Sequence, residues 1–172
     1  MDEEQNDQQP LPAEDSIARV MADWRANRPD LDVEAIAVTA RLARLRQALG
    51  SGLERVFGAH GLTGADFAVL ATIVRLGGQP LSQKRLMTEL NLTAGTISVR
   101  IDRLVADDLV RRAPDPSNGR GSLVVLTKAG RAAFEACAPE HLQNAKQLIS
   151  GLNDQERHQL GQLLGKLLRS LE

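Results

Sequence analysis

A mainly α-helical fold carrying one small β-hairpin is what this sequence predicts, on three observations. Apolar residues recur every three and four positions along most of the chain, the spacing of amphipathic helices. In the middle, a short helical run after Ser82 is followed by a tight turn at Asn91 and Leu92 and a second helical run from Ala94 to Ala106. Directly after it come two β-prone runs, Leu109 to Arg112 and Ser122 to Leu126, separated by Pro114, Asp115, Pro116, Asn118, Gly119 and Gly121, which cannot sustain a helix. Helix, turn, helix and hairpin in that order define a winged helix-turn-helix, here set between long N- and C-terminal dimerisation helices.

The elements follow in sequence. Residues 1–14 are acidic, Gln-rich and poor in apolar side chains, so a disordered tail is expected there. Residues 15–62 hold the N-terminal helices. Ile17, Val20, Met21 and Trp24 make the first, short amphipathic helix, which Pro29 ends. A long helix from Leu31 to His60 carries Val38, Leu42, Leu45, Leu49, Leu53 and Val56 in a seam that needs a partner helix. Residues 63–127 form the winged region. Thr63 and Asp66 are spaced as a capping box for a helix that Gly77 and Gly78 stop, and Ser82 caps the short helix beyond it. Residues 128–172 form the C-terminal helices, one starting at Thr127 and bending near Pro139, the last opened by Asn153 and Glu156. Leu160, Leu163, Leu164, Leu167, Leu168 and Leu171 give that last helix an apolar stripe, and two such leucine-lined ends around one head point to a homodimer.

Composition narrows the function classes. The 172 residues carry a net charge of −1, which implies no general affinity for polyanions. The charge is unevenly placed, however. Residues 1–15 hold six acidic side chains and no basic one, whereas residues 80–131 hold nine basic against five acidic, a local footprint for nucleic acid. The single cysteine, Cys137, excludes an internal disulfide framework, reads as a small core residue and fits a cytoplasmic protein. No signal peptide and no apolar run of membrane-spanning length is expected, so no membrane partner is either. His60, His141 and His158 have no metal-ligand spacing, and no nucleophile or nucleotide-binding motif occurs, so neither enzyme, metal nor cofactor is predicted. The absence of Tyr, with four aromatic residues in all, speaks against a base-stacking platform for RNA or single strands.

Counting 100° per residue separates the faces of the Ala94 to Ala106 helix. Ile97, Ile101, Leu104 and Val105 should be core. Gly95, Thr96, Val99 and Arg103 face outward, offering a hydroxyl, a branched methyl surface and a guanidinium to the base edges of a major groove. Arg100 sits on the flank. Thr93, and Ser82 one helix earlier, stand at helix starts whose positive ends suit phosphate. Arg120, among small residues at the hairpin tip, is placed to enter a minor groove. Ser82, Thr93, Gly95, Thr96, Val99, Arg100, Arg103 and Arg120 are therefore the candidate contacts to double-stranded DNA.

Over almost its whole length the chain resembles the MarR family of winged-helix transcription regulators. The resemblance rests on H-G-L-T-G-A-D-F-A-V-L-A-T from His60, L-T-A-G-T-I-S-V-R-I-D-R-L from Leu92 and D-P-S-N-G-R-G-S-L-V-V-L-T from Asp115. The wing departs at Asn118 and Gly119, where the family carries an acidic and a basic residue, which weakens a charge pair that would orient Arg120. The front, D-W-R-A-N-R-P-D-L-D, is similar to the urate-responsive branch of HucR and PecS type, with its extra N-terminal helix. Matched residue by residue, that branch implies an effector site with Trp24, Arg100 and Arg112, while its aspartate is replaced by Ala68; Asp66 lies half a turn away and is no substitute. The resemblance thus implies a homodimeric repressor on a palindromic operator, released by a small anionic or aromatic effector. A constitutive DNA-binding regulator without an effector is the alternative, and a winged helix used for protein contacts a more distant one.

Overall fold

Each helix begins where a short polar side chain can take up backbone N–H groups that a first turn leaves without partners. In the computed structural model, which describes residues 15–116 and 118–172 with the side chain of Arg120 also outside the description, seven helices and three strands follow. They are α1 (Ser16–Asn27), α2 (Glu34–Ala59), α3 (Gly64–Arg75), β1 (Leu81–Ser82), α4 (Gln83–Glu89), α5 (Ala94–Ala106), β2 (Val110–Asp115), β3 (Asn118–Leu126), α6 (Lys128–Leu148) and α7 (Asp154–Arg169). The expected tail over residues 1–14 lies outside the described residues. The chain divides within α2 into two compact units, one ending at Ala48 and the other running from Leu49 to Glu172.

In the first unit, Asp15 caps α1 by accepting from Ile17 and Ala18, both at 2.8 Å. The bond from Ala18 and the Arg41 guanidinium hold the Asp15 carboxyl below its usual range. Ile17 and Met21 are buried with Val33 in a small core. Val20 and Trp24, expected on the same apolar stripe, lie exposed one helical step round, so the stripe is split. Ile36, Val38 and Leu45 of α2 are exposed as well.

The second unit holds the main core. Leu70, Ile73, Leu86, Ile97, Ile101, Leu104, Val124 and Cys137 have no exposed surface, with Phe57, Leu62, Phe67, Val69 and Val110 around them. Val105, expected in this core, is 38% exposed: it sits a full 100° past Leu104, at the rim. Burial pushes the Cys137 thiol up, with Glu140 adding to the effect, as a packed core thiol requires. Asn144 of α6 donates to the Gly52 carbonyl of α2, and α6 runs through Pro139 as one helix. Three wing strands form an antiparallel sheet in the order β1-β3-β2, with Leu81 opposite Val124 and Val110 opposite Leu126. Both hairpin strands extend further toward the tip than the β-prone runs alone suggest, reaching Asp115 and Asn118 across an irregularity at Pro114 and Asp115. No single helix of the described residues is long and apolar enough to cross a membrane.

Candidate nucleic-acid interface

The turn between α4 and α5 is made by Asn91, whose φ of +49° lets Leu92 N–H close on the Met87 carbonyl at 3.0 Å. Asparagine tolerates that left-handed step better than most side chains. Thr93 then caps α5: its Oγ1 accepts from Thr96 N–H at 3.3 Å and lies 2.9 Å from Thr96 Oγ1. The two hydroxyls therefore hold one another at the exposed mouth of the helix, where its positive end favours an anion. Ser82 caps α4 in the same way, accepting from Arg85 N–H at 3.1 Å. Gln83, at the start of α4, reaches the Ala94 carbonyl at 3.5 Å and ties the two helix starts together.

The outer face of α5 is open. Gly95 has free space where a side chain would stand, Thr96 is exposed, and Val99 is 71% exposed, which is unusual for a branched apolar residue in an otherwise well-packed head. Arg100 is half-buried on the flank and makes no ion pair with any described residue. Arg103 shares the outward face, but its guanidinium turns back: Nη2 lies 3.4 Å from Asp66 Oδ2 and Nε 3.8 Å from Asp107 Oδ2. Asp66 is at once the capping-box carboxylate of α3, accepting from Thr63 N–H at 2.9 Å and Thr63 O–H at 2.6 Å. Sequence reading found the cap and missed the ion pair, because its partners stand on separate helices.

The wing is welded to α5 at its root. Asp108, with φ of +56°, ends the helix, and Leu109 N–H closes on the Leu104 carbonyl at 2.8 Å. Thr127 O–H donates to the Asp108 carbonyl at 2.7 Å, and its oxygen accepts from Gly130 N–H, so one residue joins the end of α5 to the start of α6. A Cβ at Gly130 would collide with the Leu109 carbonyl, so only glycine permits this approach. Further out, Arg112 of β2 donates to Asp102 of α5 at 2.7 Å. Arg120 lies in β3, beyond that strut; its side chain is outside the description.

The residues expected to touch an effector fall in different units. Trp24, in the first, is 41% exposed and lines a shallow depression with Val20, Asp23, Asn27 and Arg28. Arg28 is itself held by Asp30 through two bonds of 2.7 and 2.8 Å. Arg100 and Arg112 belong to the second unit, and Ala68 of α3 is half-buried. The histidines do not converge. His60 pairs with Glu140, His158 with Gln162, and His141 packs between Phe57 and Phe67. Among the described residues no group of three or more His, Cys, Asp or Glu is placed to hold a metal.

A capped helix with an open outer face, a turn of fixed geometry behind it and a three-stranded wing braced against its far end define a winged helix-turn-helix DNA-binding regulator. Relatives make the class specific. The MarR family model matches residues 60–121. The regulator PecS of Dickeya dadantii is 30% identical over 156 residues, covering 90% of this chain and 94% of its own. Among solved structures, a cysteine-to-serine variant of MarR from E. coli complexed with operator DNA superposes with a TM-score of 0.73 at 29% identity, over 79% of this chain and 96% of that one. BpsR of Bordetella bronchiseptica, solved to explain regulation of its DNA binding by 6-hydroxynicotinic acid, superposes with a TM-score of 0.68 at 30% identity, over 76% and 97%. The chain belongs to the MarR family of DNA-binding transcriptional regulators, which are not enzymes.

Proposed function

We propose that the protein is a cytoplasmic, homodimeric repressor that binds a palindromic operator and is released by a small anionic or aromatic effector. The observation that carries the DNA contact is the outer face of α5, where Val99 stands bare between Thr96 and Arg100, which pairs with no carboxylate among the described residues. Val99 suits a thymine methyl, Thr96 and Arg100 the polar base edges, and Ser82, Thr93 and Gly95 let phosphates approach two helix starts. Arg120 extends the contact to the flanking minor groove. Arg103, although on the same face, is committed to Asp66 and is not counted among the contacts. Dimerisation is supported by α7, which buries none of its residues within the chain while exposing five leucines from Leu160 to Leu168, with Leu171 exposed just beyond it. A twofold dimer sets half-sites about one helical turn, ~34 Å, apart.

Effector response is supported by the likeness to BpsR, and the residues assigned to it are Trp24, Arg100 and Arg112. Two observations favour an effector other than urate, or none. Ala68 lacks the carboxylate of the urate-responsive branch, and Arg112 already holds Asp102, a carboxylate with which any anion would have to share the guanidinium. Since only differential affinity shifts an equilibrium, the effector must bind better to a dimer whose heads are wrongly spaced.

The test is a mobility shift on DNA upstream of the protein's own gene, with a panel of urate, aromatic acids and small carboxylates. A saturable shift reversed by one of the panel supports the whole reading. A shift that nothing reverses leaves a constitutive regulator, and no shift at low salt rejects the function.

A further inference from the structure

Among the ion pairs of the head, the one between Asp66 and Arg103 has the most deeply buried carboxylate. The Asp66 side chain is 4% exposed, and its Oδ2 already receives the N–H and O–H of Thr63. Arg103 is the only cation within ion-pairing distance of it among the described residues. A carboxylate withdrawn from water is costly unless a cation and hydrogen bonds compensate it, and removing the cation leaves that cost uncovered. A DNA phosphate that recruited Arg103 would leave Asp66 in that state, and it would also have to compete with Asp107 on the guanidinium's other side.

We propose that Asp66 is a positioning residue for DNA recognition: acting through Arg103, it fixes the angle of α5 on α3, so that Arg103 is a strut and not a phosphate contact. The inference rests on the reading of α5 as the recognition helix. Three ties then hold that helix at separate points. Gln83 binds its start at Ala94, Asp66 its third turn at Arg103, and Arg112 joins the neighbouring Asp102 to the wing. The ties leave Thr96, Val99 and Arg100 between them as the face free to read bases. Since base contacts specify and phosphate contacts only position, a tilt of α5 should cost discrimination before it costs affinity for DNA in general.

Four proteins decide it: the unaltered chain, Arg103→Gln, Asp66→Asn and the double variant. Each is titrated with an operator duplex and a scrambled duplex across a salt series, with thermal melting to show that it folds. Asp66→Asn keeps a carbonyl acceptor for the Thr63 cap, and Arg103→Gln leaves the cap untouched, so at least one single variant reports on a folded head. A strut predicts operator affinity lowered about tenfold or more in either single variant, with scrambled-duplex affinity and salt slope unchanged. It also predicts that the double variant is no worse than the weaker single one. The proposal is overturned if Arg103→Gln weakens both duplexes equally and reduces the salt slope by about one, the signature of a lost phosphate contact. Additive losses in the double variant would overturn it too. If the unaltered chain does not distinguish the two duplexes, the recognition-helix reading itself fails, and this inference with it.

Discussion

Helices α5 and α7 are of similar length and both amphipathic, yet Ile97, Ile101 and Leu104 of α5 have no exposed surface whereas no residue of α7 is buried. The first meets its partners within the chain: α4 lies across the turn at Asn91, β2 follows at Leu109, and α3 is tied on through Asp66. The second presents leucines that the described residues leave exposed. An apolar stripe of this size on a well-capped helix is the mark of an interaction surface and not of poor folding. The contrast separates two regions, a head whose geometry is completed inside the chain and a stem whose leucines the proposed dimer would cover.

Cutting into the head should have the largest effect on folding. Leu104→Ala removes a wholly buried side chain and is expected to destabilise the protein by about 2–5 kcal/mol, read from denaturant unfolding. Charging the stem should behave in the opposite way. Leu164→Lys with Leu168→Lys ought to leave head signals in the NMR spectrum in place while sedimentation shows monomers. Operator affinity should then fall about 10²–10⁴-fold, as the second head no longer binds as part of one molecule. A collapse of the head signals together with the dimer would erase the distinction between the two regions.

Smaller changes sharpen it. Asn153 opens α7 with a capping box, accepting from Glu156 N–H at 3.0 Å, so Asn153→Ala should cost about 1 kcal/mol and show as weakened dimerisation with unaltered base preference. The pH dependence of the head is expected to be smaller still. The bond from Arg75 holds the Glu89 carboxyl below its usual range despite desolvation, with Arg85 adding to the effect. A lowered folded value means that this stabilisation is present above the ordinary glutamate range, near pH 4.3, and is lost as pH falls through the folded value. Melting curves of the unaltered chain and Glu89→Gln should therefore differ at neutral pH and converge in acid.

Much of this organisation was legible in the sequence because its signals are local. Thr63, Ser82, Thr93, Thr127 and Asn153 each cap a helix whose first turn lies within three residues, so spacing alone identifies them. What escaped depends on distance along the chain. Strand β1 is two residues long and pairs with Leu123 and Val124, some forty positions on, so no alternation announces it. The Asp66–Arg103 pair spans α3 and α5, and the joint of Thr127 with Asp108 and Leu109 spans the whole wing. Val105 failed for a different reason: a helical wheel gives its angle, but not the width of the surface α5 buries.

The division of labour between head and stem is tested most directly by weighing the protein on its DNA. Sedimentation of the chain with a single-operator duplex should give two chains per duplex at low salt, with an affinity that falls steeply as salt is raised. One chain per duplex, or a complex indifferent to the sequence of the DNA, would contradict the account.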